Sequence, residues 1–357
     1  IGVLWFTALI ITGCILAIIG KKEPMVGGSG IPQVKGVLSG QMKMNWLSVI
    51  TYKFIGGILA LGAGLSLGRE GPSIQLGSAA GQGLSRIMGR LKVEEKYLIT
   101  CGASAGLSAA FNAPFAGVIF ALEELHKNFS PVVFVPAMVS SLVAAFLAQQ
   151  FFGQRPVFDI TNITTLPHNY YLLIILLGII TGICGILFNH MLIKSQELFK
   201  KNIKFELRPI VPLLLAGVLG FCLPQVLGGG SGLIEAMVKN DMTIWFVGIL
   251  FVVKFLFTMV SYGSGVPGGI FLPLLVLGAL TGELFGLILV NTLILDPIYV
   301  KNFIILAMAG YFSAIVKAPI TGSILITEMT GSFSHLLSIS LISLISYLVT
   351  ELLKGEP

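Results

Sequence analysis

Charge is what this chain has least of. Lys, Arg, Asp and Glu make up 11% of it, against about a quarter of an ordinary soluble domain. Hydrophobic residues make up 55%, and mean hydropathy is +0.95. That scarcity excludes a large soluble helical protein, whose core could not hide so much apolar surface. Cysteine is scarce too: Cys14, Cys101, Cys184 and Cys222 lie singly with no CxxC pair, so neither a disulfide framework nor a metal site is expected. His126, His168, His190 and His335 lack ligand spacing and are assigned to packing or membrane edges. No GxxxxGK[ST] loop occurs, which removes nucleotide hydrolysis as an energy source. The chain opens at Ile1 inside an apolar run, with no start methionine or signal peptide, and is expected to be a piece of a longer protein.

Long apolar runs are abundant. Stretches 1–20, 170–188, 211–228, 243–260 and 336–353 are each long enough for a hydrocarbon core of about 30 Å. Further runs, several too short or interrupted for an ordinary span, fill the gaps, and roughly ten membrane-embedded segments are expected. The 43 glycines and 16 prolines lie largely inside these runs, where small residues permit close helix approach and breaks are tolerated. Net charge is +6 without a long basic run. Lys200, Lys201, Lys204 and Arg208, and the mixed run from Arg86 to Lys96, read as solvated membrane edges; no nucleic-acid partner is expected.

The punctuation of the chain repeats. Gly28-Ser29-Gly30 recurs as Gly230-Ser231-Gly232, a shift of 202. Ala113-Pro114-x-x-Gly117 recurs as Ala318-Pro319-x-x-Gly322, and Glu123 as Glu328, both at 205. One transmembrane domain over 1–357 is expected, with a first repeat over 1–200 and a second over 201–357. Internal repeats in a polytopic chain point to a transporter or channel with its site where the repeats meet. Spacing alone leaves parallel and inverted repeats open.

Three glycine-rich breaks carry the chemistry: Gly27-Gly28-Ser29-Gly30-Ile31-Pro32, Gly68-Arg69-Glu70-Gly71-Pro72, and the segment from Gly263 to Pro273 containing Gly269-Ile270-Phe271-Leu272-Pro273. Glycine lets the backbone turn, and proline suits a first helical turn. Helices starting there expose unsatisfied N–H groups at their positive dipole ends, a site for an anion built without full cations. Partial charges hold a halide and still let it leave. The plainer alternative is that the breaks are hinges or helix contacts.

Glu70 is an ionisable group at membrane depth, which is costly and therefore a functional candidate. As a carboxylate it can occupy the anion site; once protonated it is neutral and can swing away. The alternative is an ion pair with Arg69. Glu123 and Glu124 close the apolar run Ala113–Leu122, either as a water-boundary marker or in a proton role. Glu328 is expected to be structural. Lys53 and Lys254 are expected to partner buried acids or to snorkel.

With these motifs in order, the sequence resembles the CLC family of chloride channels and proton/chloride exchangers. The likeness extends through Phe111-Asn112-Ala113-Pro114-Phe115-Ala116-Gly117 and Glu328-Met329-Thr330 and covers essentially the whole chain. It implies an all-α polytopic membrane protein of two inverted repeats with broken helices meeting at an anion site, assembled as a homodimer with one pore per subunit. It implies chloride as transported ligand with no cofactor, bound by Gly28, Ser29, Arg69, Glu70, Ile270 and Phe271. Ser29 would be the central hydroxyl, Glu70 the outer gate and Glu124 the inner proton-transfer residue. An acid at 124 favours coupled exchange; a passive voltage- or pH-gated chloride channel is the alternative, and an intramembrane enzyme built on Ser29 a distant third. A bacterial inner membrane is the expected location. The family's tyrosine ligand after the last span has no counterpart before Pro357, and a span usually preceding Ile1 is expected to be missing.

Overall fold

The computed structural model describes residues 2–154, 156–158, 160, 163–239 and 242–355. Regular structure among them is helical: α1 (Gly2–Lys22), α2 (Ile31–Leu38), α3 (Trp46–Gly62), α4 (Glu70–Ile87), α5 (Lys92–Phe111), α6 (Pro114–Phe120), α7 (Pro131–Phe152), α8 (Tyr171–Asn202), α9 (Ile210–Cys222), α10 (Ser231–Lys239), α11 (Ile244–Gly263), α12 (Phe271–Asn291), α13 (Val300–Val316), α14 (Pro319–Thr330) and α15 (Leu336–Leu352). Helices are the expected answer in lipid, where each backbone N–H and C=O needs an internal partner.

Among the described residues, eight helices are long and apolar enough to cross a membrane: α1, α7, α8, α11 and α12, and α9, α13 and α15 each taken with the 3-10 turn before it. The apolar α3 has only 17 residues, and α4 and α5 are too rich in glycine, serine and charge to qualify. The apolar stretch 211–228 is not one span, because α9 stops at Cys222 and a 3-10 turn follows at Pro224–Val226.

The helices gather into two compact units. One comprises Ile1–Gln154, Lys194–Gly229 and Phe257–Leu272, the other Arg155–Ile193, Gly230–Leu256 and Pro273–Pro357. In the first, α4 and α5 approach backbone to backbone. Gly77 and Gly81 on α4 face Gly102 and the Leu98 carbonyl on α5, and Gly106 faces the Ser73 carbonyl. Both helices carry a Gly-x-x-x-Gly pattern, which places two side-chain-free positions on one face. In the second unit α13 is buried almost throughout, and Gly278 of α12 lies against the Ala307 carbonyl, 2.8 Å from an added Cβ. Buried hydroxyls are satisfied locally: Thr281, Ser313, Thr327, Thr330 and Thr350 each donate to a carbonyl four residues back.

Local backbone conformations recur along the chain. Short 3-10 turns begin at Pro24 and Pro224. Gly28 and Gly228 have φ of 63° and 62°, and Gly30 and Gly230 of 89° and 91°. Around the first break the recurrence therefore runs at 200 residues, not 202, and the conformational counterpart of Ser29 is Gly229. The helix starts at Ala113 and Ala318 have matching φ, ψ pairs of −130°, 79° and −131°, 78°, at the 205-residue shift seen in sequence.

Gly102→Ala is expected to cost about 1–3 kcal/mol by forcing α4 and α5 apart. Gly248→Ala, with no atom within 4 Å of the added carbon, is expected to leave stability nearly unchanged. Thermal unfolding in detergent measures both; equal melting temperatures would remove the glycine contact as a constraint.

Candidate functional site

Each break places a helix start. α2 follows Gly30, which adopts a left-handed φ of 89° and is succeeded by Pro32 in the first turn. A side chain on Gly30 would also collide with Gln75 of α4, so that position is closed on conformation and on space. α4 begins at Glu70 and α12 at Phe271. All three starts lie in the first compact unit.

Backbone hydrogen bonds join the breaks directly. Gly68 and Gly269 exchange N–H to carbonyl bonds of 2.7 Å in both directions. The Gly28 N–H donates to the Val266 carbonyl at 3.1 Å, and the Gly268 N–H to the Gly28 carbonyl at 3.0 Å. Gly71 packs on Ser29, an added Cβ there lying 2.9 Å from the Ser29 carbonyl oxygen, and Gly269 packs on the Gly71 amide nitrogen at 3.0 Å. The Ser29 turn and the starts of α4 and α12 thus meet at one place, and the glycines allow it because any Cβ would hold the strands of backbone apart.

Side chains brace the arrangement. Lys53 of α3 is fully buried and donates from Nζ to the carbonyls of Val26 at 2.9 Å and Gly28 at 2.7 Å. It partners backbone, not the acid expected from sequence, and it does not snorkel. A buried ammonium needs such acceptors, and in satisfying itself it fixes the turn that presents Ser29. Lys254 in the other unit is likewise fully buried, with its ammonium group against Gly230. Gln75 donates from Nε2 to the Met25 carbonyl at 2.7 Å, pinning α4 to the same turn. The Ser29 hydroxyl accepts from the Ile31 N–H at 3.3 Å.

Glu70 is 1% exposed. Its carboxylate faces the backbone N–H groups of Glu70 itself and Leu272, one from the start of α4 and one from the start of α12. Oε2 projects over Gly68, where a side chain would collide with it. Arg69 does not pair with it: the Arg69 guanidinium donates to the Ala110 carbonyl at 3.3 Å. A carboxyl group at two helix starts stands where negative charge is favoured, since each start carries roughly half a positive charge, while its Oε2 is buried without a hydrogen-bond partner.

The remaining predicted residues divide. Ile270 is half-buried in the turn before α12, and Phe271 is buried with its ring edge-on to Phe120 of α6, centroids 5.8 Å apart. Glu124 is elsewhere. It sits on a π-helical turn, Ala121–His126, that continues α6, and it forms an ion pair with Lys35 of α2. Lys35 lies on α2 about 6 Å of helix rise beyond its first residue, Ile31. Sequence reasoning missed Lys35, Gln75 and Tyr262. The tyrosine hydroxyl meets the Ser29 hydroxyl and backbone, and the only local signal was its place three residues before Gly265. Lys200 and Arg208, assigned to a membrane edge, line a cavity of about 380 Å³ that Gly28, Ser29 and Tyr262 also line.

Known proteins share this arrangement of sequence. The family described as Voltage gated chloride channel matches residues 8–351. The H(+)/Cl(-) exchange transporter ClcA of Citrobacter koseri is 33% identical over 366 residues, covering 99% of this chain and 77% of that protein. The protein of the same name from Yersinia pestis is 34% identical, covering 95% and 73%. Among solved structures, a slow cyanobacterial Cl-/H+ antiporter superposes with a TM-score of 0.91 at 30% identity, covering 99% of this chain and 85% of that one. A CLC-type fluoride/proton antiporter shares the fold, with a TM-score of 0.78 at 21% identity over 98% and 95% of the two chains. The chain is therefore an integral membrane protein belonging to the voltage gated chloride channel family, the CLC transporters.

Proposed function

We propose that this chain is a secondary-active antiporter that exchanges chloride for protons. The observation that carries this reading is the Glu70 carboxylate, held by amides from the starts of α4 and α12 beside the Ser29 turn. A carboxylate and a halide compete for the same N–H groups. When Glu70 takes a proton its claim on those amides weakens and chloride replaces it, so one side chain links the two movements. Ser29 with the Gly28 backbone forms the inner part of the anion site; Arg69, Ile270 and Phe271 contribute backbone at the helix starts.

Glu124 supplies the inner proton step. It is partly open to solvent, at 14% side-chain exposure, and Lys35 ties it to the helix that carries Ser29 at its start. Phe120, whose ring meets Phe271, and Phe111 are buried; such rings give an anion no partner but leave a proton free to pass by transient water or side-chain motion. The names of the relatives, exchangers of protons and chloride, support the same assignment, and the serine at position 29 favours chloride over fluoride. The protein acts in a bacterial inner membrane on this reading, as a homodimer.

In liposomes carrying a chloride gradient, the wild-type chain is expected to drive protons uphill; dissipation of chloride without proton movement would leave a passive channel. Glu70→Gln is expected to abolish proton movement while chloride flux persists, because an amide mimics the protonated, displaced state. Glu124→Gln is expected to spare chloride flux and lose proton movement, and proton pumping at the wild-type rate in either variant overturns its role. A cation beside a carboxylate favours the charged form, so removing it in Lys35→Gln raises the pH at which Glu124 holds its proton. The midpoint of proton flux against pH is expected to move upward; a downward or absent shift removes the ion pair from the proton route.

A further inference from the structure

Two residues beyond Lys35, at Val37, α2 reaches a second cavity. The loop after α2, the end of α4 and the start of α5 enclose about 690 Å³ there, lined by Lys43, Gln82, Arg86, Lys92, Glu95 and Lys96. Four cations thus face one carboxylate. That carboxylate is already engaged: Glu95 Oε1 accepts from Gln82 Nε2 at 2.8 Å and lies 3.5 Å from Arg86 Nη2. Among the described residues, Lys43, Lys92 and Lys96 enter no ion pair. Lys92 is the first residue of α5, where a cation works against the helix dipole, and an anion held beside it offsets that cost.

Gln82 adds a second requirement. Its side chain is 2% exposed, and its Oε1 is buried with no hydrogen-bond partner. Leaving a buried carbonyl oxygen without a donor is costly. An occupant that completes this cavity carries a donor as well as negative charge. The rim shows where such an occupant comes from. Met42, Ile87, Leu91 and Val93 are exposed around it, interleaved in sequence with the cations. Trp46, at the start of α3, packs on Gly83 of α4, its ring 2.7 Å from an added Cβ. Exposed apolar side chains beside lysines and a tryptophan mark the level where hydrocarbon gives way to headgroups. A small solute leaves that rim bare, whereas a lipid covers it with its own chains.

We propose that this cavity holds the headgroup of a phospholipid. The phosphate lies among Lys43, Arg86, Lys92 and Lys96, and a hydroxyl or ammonium group beyond it donates to Gln82 Oε1. Bound there, the phosphate ties the loop after α2 to the end of α4, two helices whose starts belong to the candidate anion site. The inference concerns binding alone and stands apart from the transport reading.

Phosphatidylglycerol, which carries a phosphodiester and hydroxyls, is titrated into the full chain in neutral detergent while thermal unfolding is followed. Each protein is referred to its own lipid-free melting temperature. The wild type is expected to gain stability with the logarithm of lipid concentration, as with any ligand of the folded state. Lys43→Gln combined with Lys92→Gln is expected to need about 25-fold more lipid for the same shift, at about fivefold per charge removed. Lys43→Arg combined with Lys92→Arg is expected to titrate like the wild type. So is Lys21→Gln combined with Lys22→Gln, which removes exposed cations at the end of α1. No loss in the Lys43 and Lys92 glutamine variant, or an equal loss in the Lys21 and Lys22 variant, overturns the site. Should the double glutamine variant fail to fold, Lys43→Gln alone, in the loop, decides at about fivefold. Diacylglycerol has the chains without the phosphate, and glycerol phosphate has the phosphate without the chains. Neither is expected to move the melting temperature at concentrations where the lipid does. A shift with diacylglycerol equal to that with the lipid removes the phosphate from the account, and an equal shift with glycerol phosphate assigns the cavity to a soluble anion; either overturns the proposal.

Discussion

Backbone N–H groups at the start of a helix have no intrahelical acceptor, and in a membrane no water replaces one. That constraint organises the first compact unit. Helices α2, α4 and α12 all begin inside the protein, where their orphan donors require an acceptor that carries negative charge. Glu70 meets the requirement from within; in the function proposed above a dissolved anion meets it from outside, and competition for one set of donors gives a buried carboxyl group a reason to move.

Holding helix starts together is harder than forming them. The backbones approach within hydrogen-bonding distance at Gly28, Gly68 and Gly269, which only residues without side chains permit. The arrangement is then fixed by groups that satisfy themselves on the loops: the Lys53 ammonium on the Val26 and Gly28 carbonyls, and the Gln75 amide on Met25. Lys53 is informative because its Nζ lies close to the proposed anion site yet directs its protons to carbonyls. An anion in the proposed site is then left to contact amides and hydroxyls, partial charges from which it can depart.

The links away from the site run along single elements. Ser29 lies in the turn just before α2 and Lys35 near the end of that helix, so the residue that pairs with Glu124 and the residue proposed to face the anion belong to one short helix and its lead-in turn. α6 carries Phe120 against Phe271 and continues into the π turn bearing Glu124. The proposed anion and proton positions are thus linked through two short helices.

The amino-acid sequence by itself determined the membrane class, the helical build, and the three breaks, because these depend on local composition: apolar runs, glycine for turning, proline for starting. Gly28, Ser29, Glu70, Ile270 and Phe271 were legible for that reason, as was the 205-residue recurrence at Ala113 and Ala318. The partners were not. Lys53 looked like the mate of an acid, and Lys35 and Tyr262 looked like nothing in particular, since a side chain's partner depends on residues far away in the chain. Tyr262 lies 233 positions from the serine it touches. Only the tertiary structure decided such pairings, because in a low-dielectric interior each polar atom takes the acceptor or donor that folding brings within 3 Å, and sequence order places no limit on which one that is.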